Sequence, residues 1–144
     1  MEALIGKTLK TKEMEEFDMD KLKDVKVLCL YFAASYCHPS RKFSELLREF
    51  YEEINRDSYR MEIVLVPFDH EEEEFKKFMA RMPWTTIPFN DQKGKELIQK
   101  FGITSVPRLY VFDKNGVKIT EDGRKEICVD GENAFENWLA KCSP

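Results

Sequence analysis

The chain lacks any hydrophobic run long enough to cross a membrane, any excess of positive charge, and any dense set of cysteines. Its longest apolar stretch, residues 27–34, is far short of the ~20 residues that a bilayer span requires. The opening residues, Met1-Glu2-Ala3-Leu4-Ile5-Gly6-Lys7, lack the apolar centre of a secretory leader, so an intracellular protein is expected. Net charge is -4 over 144 residues, with acids and bases interleaved. Without a basic stripe, neither a nucleic acid nor an anionic membrane is expected as a partner. The four cysteines, Cys29, Cys37, Cys128 and Cys142, have neither the density of a disulfide scaffold nor the close spacing of a zinc site. Stability must then come from packing. The length suits one domain, 1–144, in which 1–24 serves as an N-terminal strand and cover segment.

The most informative stretch is 25–54. Residues 25–32, rich in Val, Leu, Tyr and Phe, predict a central strand covered on both faces. Ala33-Ala34-Ser35-Tyr36 then leads into Cys37-His38-Pro39-Ser40. Pro39 suits the first turn of a helix, where no N–H donor is needed. Phe43, Leu46, Leu47, Phe50, Tyr51 and Ile54 follow at helical spacing, and Asn55-Arg56-Asp57-Ser58 ends the run. Residues 61–66 read as a second buried strand, which completes a β-α-β unit.

Before this unit, 4–9 reads as a short edge strand and 14–22 as a charged, weakly helical connector, together an adaptable, partly exposed cover. After it, Asp69-His70 precedes Glu71-Glu72-Glu73-Glu74. Acids in a first helical turn suit the macrodipole, and one histidine followed by consecutive glutamates does not converge on a metal ion. Phe75, Phe78, Met79 and Met82 mark the buried face of that helix, which Pro83-Trp84 ends. Thr85-Thr86-Ile87-Pro88-Phe89 is extended, and 93–101 is a short helix stopped by Gly102. Strands at 109–112 and 117–120 flank Asp113-Lys114-Asn115-Gly116, a hairpin signal. A last helix, 132–142, carries Phe135, Trp138, Leu139 and Cys142 on one face. This order predicts an α/β three-layer sandwich with a central mixed sheet flanked by helices.

Chemistry is expected at Cys37. At a junction between a buried strand and a helix, unpaired amides and the helix dipole favour a thiolate, and the Ser40 hydroxyl one turn on is a candidate donor to it. His38 would add to this if protonated, although an exposed histidine is expected to be neutral near pH 7. The blander reading makes Cys37 a small residue filling a junction. Metal binding by Cys37 and His38 is not expected, since adjacent residues supply only two ligands.

The order of elements, the Cys-x-Pro-x run and Val106-Pro107 just before the hairpin resemble the thioredoxin fold. Three features narrow the likeness to the tryparedoxin and nucleoredoxin branch. They are Tyr31-Phe32-Ala33-Ala34-Ser35-Tyr36-Cys37 with Phe43 and Phe50-Tyr51, Met82-Pro83-Trp84 with Ile87-Pro88-Phe89, and the spacing to Val106-Pro107. Cys37-His38-Pro39-Ser40-Arg41 and Ile119-Thr120-Glu121-Asp122-Gly123-Arg124-Lys125 are similar to nucleoredoxin-like proteins of retinal photoreceptor maintenance, some of which also carry serine in the second position. The resemblance implies a cis Val106–Pro107 bond that sets the backbone of Val106 beside the thiol. It also implies a site shaped by Tyr36, His38, Pro39, Arg41 and Arg108, with Arg108 favouring acidic partners. Trp84 is either a core tryptophan or, as the resemblance implies, a wall of the binding groove.

The chain departs from the redox-active pattern Trp-Cys-Pro-Pro-Cys at Tyr36, His38 and Ser40. A dithiol enzyme attacks a disulfide with its first cysteine and frees itself with the second; Ser40 cannot do the latter. Cys29, in its strand, and Cys142, on the last helix, are poor substitutes, and Cys128 falls in a region with no clear element. The leading reading is a monothiol exchange protein, weak as an oxidoreductase. It would bind no cofactor, use glutathione or another small dithiol as co-substrate, and act on a protein with a reactive cysteine or disulfide. Its expected location is cytoplasmic, with the nucleus also open to it. Two alternatives stand beside it: a non-catalytic interaction module using the surface around Trp84, Pro88 and Arg108, and a tryparedoxin-like reductase in which Ser40 is an engineered replacement of cysteine.

Overall fold

The computed structural model describes residues 2–142, so the outermost residues of the 1–144 unit lie outside the description. Strand β1 (Val27–Ala33) is buried along its whole length. It pairs in parallel with β2 (Met61–Pro67) through helix α2 (His38–Ile54). Helix α1 (Glu2–Ile5) lies before this unit. After it come α3 (Glu72–Met79), the two-residue β3 (Thr85–Thr86) and α4 (Gln92–Lys100). The chain closes with β4 (Arg108–Asp113), β5 (Lys118–Thr120), α5 (Gly123–Asp130) and α6 (Asn133–Ala140). The sheet order is β3-β2-β1-β4-β5, with β3 parallel to β2 and the β4-β5 hairpin antiparallel to β1. This is the mixed sheet that the sequence predicts.

Side chains alternate across a strand, and here both faces are covered. Val27, Cys29, Tyr31 and Ala33 join one core with Phe43, Leu47 and Phe50 of α2. Leu28, Leu30 and Phe32 join the other with Val64, Val66, Leu97 and Tyr110. Among the apolar positions of α2, Leu46 alone is exposed, at the edge of the buried stripe. No helix among the described residues is long and apolar enough to cross a membrane.

Two expectations need correction. Residues 4–9 do not form an edge strand: Leu4 and Ile5 belong to α1, and only Lys10 bridges the edge of the sheet, at Thr86. The connector after it is a 3₁₀ helix, Met19–Asp24. Leu4, Ile5, Leu9 and Leu22 of this segment are buried in the second core. Apolar side chains close the face of β1 there, and burial outweighs the strand-like spacing. Second, α5 occupies the region left without an element. It buries only Gly123 and Ile127, so it carries no apolar stripe to announce it. A Cβ on Gly123 would lie 2.9 Å from the Leu109 carbonyl oxygen, and only glycine lets the helix start against β4 so closely.

Candidate functional site

The end of β1 delivers the chain through Ala34, Ser35 and Tyr36 to Cys37, the extended N-cap of α2. The amide of Arg41 donates to the Cys37 carbonyl at 3.1 Å and the amide of Cys37 to the Ala34 carbonyl at 3.2 Å, so both sides of the cysteine are fixed. Its thiol is half-buried and donates to the Val106 carbonyl oxygen at 3.5 Å. The Val106–Pro107 peptide is cis. Residues 69 positions apart thus meet at one point.

Ser40 is wholly buried. Its Oγ accepts from the Ala34 amide at 3.3 Å, and its carbonyl accepts from Tyr31 Oη at 3.0 Å and from Ser44 Oγ at 2.8 Å. No hydrogen bond joins Ser40 to Cys37 Sγ, so the hydroxyl braces the loop and is not the expected donor to sulfur. Tyr31 is itself buried, which pushes its phenol well above the ordinary range, while the Ser44 bond pulls the other way.

The loop before the thiol is held by Arg41, an expected site residue, and by Asp69, which sequence reading missed. Asp69 Oδ1 accepts from the Ser35 amide at 2.7 Å, and Arg41 Nη1 donates to the Ser35 carbonyl at 2.6 Å. Tyr36 is 62% exposed and stacks on His70 with centroids 6.4 Å apart. His38 and Pro39 are exposed in the first turn of α2; His38 is therefore a helical residue, not a loop residue. Arg124, at the start of α5, lies 5.9 Å from the Phe43 ring. Ser44 was open to detection, since it interrupts the apolar face of α2 four residues after Ser40; Asp69, Arg124 and Tyr31 gave no such local signal.

One expected site residue is enclosed in the core, and another makes its side-chain contacts on the hairpin. Trp84 is 1% exposed and packs edge-on against Tyr31 and Tyr51 at 6.0 and 5.8 Å. It is a core tryptophan and does not wall a groove at the thiol. Arg108 lies over the Tyr110 ring at 5.7 Å, and its charge helps hold the Glu121 carboxyl below the usual range behind the Lys118 and Tyr110 bonds. Its partners are thus on the hairpin side. The other cysteines are also separate. Burial pushes the Cys29 thiol far up, and Cys142 donates to the Lys26 carbonyl at 3.7 Å, before the start of β1 and away from Cys37. Burial, with Asp113 behind it, raises the Cys142 thiol too. Cys128 is exposed on α5. Among the described residues no group of three or more acidic, histidine or cysteine side chains converges as a metal site.

A buried parallel strand, a cysteine at a helix N-terminus and the facing carbonyl of the residue before a cis proline are the marks of a thioredoxin-like fold. The chain belongs to the thioredoxin-like family, matched over residues 24–117, within its nucleoredoxin and tryparedoxin branch. It is 36% identical to nucleoredoxin of Xenopus laevis over 113 residues, which cover 78% of this chain and 27% of that protein. The chain therefore spans about a quarter of the length of the curated nucleoredoxins it matches. Among solved structures, the thioredoxin of Wuchereria bancrofti superposes with a TM-score of 0.80 at 33% identity, covering 95% of this chain and 96% of that one. Tryparedoxin II complexed with glutathionylspermidine superposes with a TM-score of 0.78 at 31% identity, covering 87% of each chain.

Proposed function

We propose that this protein exchanges disulfides through Cys37 alone. The thiolate of Cys37 attacks one sulfur of a partner's disulfide; a new S–S bond forms, the old one breaks, and the leaving thiolate takes up a proton. The observation that carries this reading is the meeting of Cys37 Sγ with the Val106 carbonyl at 3.5 Å, while buried Ser40 stands where a second thiol would release the adduct. An external thiol then completes the cycle. Glutathione or a small dithiol fits this role, and a structural relative complexed with glutathionylspermidine supports it. The partner is a protein with a reactive cysteine or disulfide, met in the cytoplasm or the nucleus.

Incubation with glutathione disulfide, followed by intact-mass measurement, tests the reading. One glutathione adduct on Cys37, absent in Cys37→Ser and removed by free glutathione, is the expected result. An unreactive Cys37 would leave the interaction-module reading in its place. That second reading has lost one support, because Trp84 is buried and offers no surface.

A further inference from the structure

A groove of about 230 Å³ opens between α2 and α3. It starts at Ser35, two residues before Cys37, and runs down the seam of the two helices. Arg41 and Arg48 border it from α2, and Lys77 and Arg81 from the α3 side, against two carboxylates, Glu45 and Glu74. Phe78 and Met82, both buried, form part of its floor. In a chain of net charge -4 its lining carries four cations against two carboxylates.

Two of the four cations, Arg81 and Lys77, are only loosely engaged, while Arg41 is held on the Ser35 carbonyl at 2.6 Å. Arg81 lies 3.7 Å from Glu45 and Lys77 3.6 Å from Glu74, all four side chains more than half exposed. Exposed pairs of this kind contribute about 0–1 kcal/mol, so they re-pair readily. Arg48 reaches the Arg81 carbonyl at 3.5 Å and lies 3.7 Å from Glu52. Arg41, Glu45 and Arg48 share one helix face, spaced as neighbouring turns. At about 1.5 Å per residue, Cys37 and Arg48 lie ~16 Å apart along α2, a span that about five extended residues cover.

Resting on the monothiol reading, we propose that this groove binds an acidic extended segment of the disulfide partner, with its carboxylates within about five residues of the reactive cysteine. Charge complementarity selects the occupant: cations at the rim attract the carboxylates, and the buried apolar floor takes the intervening side chains. The groove acts on encounter and alignment, while the exchange itself stays at Cys37.

Two synthetic peptides test this, each carrying one cysteine as its mixed disulfide with 2-thiopyridine and flanked on both sides by either Asp or Asn. Attack by Cys37 on the peptide sulfur forms the protein-peptide disulfide and releases pyridine-2-thione. The rate of adduct formation is read by mass spectrometry on the proteolytic fragment that contains Cys37. The acidic peptide is expected to react about tenfold faster than the Asn peptide at ~0.02 M salt, and the ratio to fall towards one at ~0.5 M. In R48E/R81E the ratio within that protein should drop below one. An acidic-to-neutral ratio near one in the unaltered protein, or an unchanged ratio in R48E/R81E, overturns the groove. Failure of the Asn peptide to modify Cys37 at all overturns the monothiol reading beneath it, so the two failures are distinguishable. Salt dependence in the unaltered protein decides the matter if the double variant does not fold.

Discussion

The Tyr31 hydroxyl donates to the Ser40 carbonyl at 3.0 Å, so the central strand grips the first turn of the helix that presents Cys37. Ser44 Oγ lies 2.8 Å from both this hydroxyl and the Ser40 carbonyl, so the two hydroxyl protons serve two of the three contacts at a time. A tyrosine inside an all-buried strand is thereby a positioning element for a helical turn nine residues away in sequence.

Tyr31→Phe removes this grip while leaving the ring packing with Phe43 and Trp84. The Ser40 carbonyl keeps its bond from Ser44 Oγ, so the loss should be limited to about 1–2 kcal/mol. Urea unfolding followed by tryptophan fluorescence measures it, and an unchanged midpoint would show that Ser44 alone suffices.

Ser40→Cys places a thiol one helical turn from Cys37. With dithiothreitol as the electron source, turnover in an insulin-reduction assay is expected to rise about tenfold or more, because release of the mixed disulfide becomes intramolecular. No gain would mean that the buried position of Ser40, fixed to the Ala34 amide, keeps the new sulfur from reaching the adduct.

Glu62 lies near the start of β2, at the end of the sheet away from Cys37. Burial pushes its carboxyl up from 4.5 to about 7, partly opposed by bonds from Tyr59 at 2.5 Å, the Ile63 amide at 2.9 Å and Tyr51 at 3.0 Å. The folded chain therefore holds a proton that the unfolded chain releases near the ordinary glutamate value. A raised carboxyl contributes its stability at low pH and loses it as pH rises between about 4.5 and about 7, on the order of 3 kcal/mol in all. In Glu62→Gln this part of the slope should vanish from a plot of unfolding free energy against pH. An identical slope in both proteins would assign the titration to other groups.

Gly123→Ala would normally favour a helix. Here the added methyl meets the Leu109 carbonyl at 2.9 Å and the Val111 side chain at 3.0 Å, so a loss of about 1–3 kcal/mol is expected instead. Differential scanning calorimetry reads it as a lowered Tm; a raised Tm would show that α5 can lift off β4 without cost.

The sequence by itself determined the α/β sandwich, the central strand, α2 and the position of Cys37, because hydrophobic period and helix-start chemistry are local properties. The family also followed from motifs in order. What only the tertiary structure decided depends on contacts between distant segments. Leu4 and Ile5 form a helix against the second core because that face of β1 needed covering, and α5 exists because β4 accepts Gly123. Trp84 turned inward and Ser40 braced the Ala34 loop, although local pattern allowed each another role. The approach of Val106 to Cys37, the Asp69 anchor at Ser35 and the cationic seam between α2 and α3 arise from packing. No window of sequence encodes the meeting of side chains that only folding brings within bonding distance.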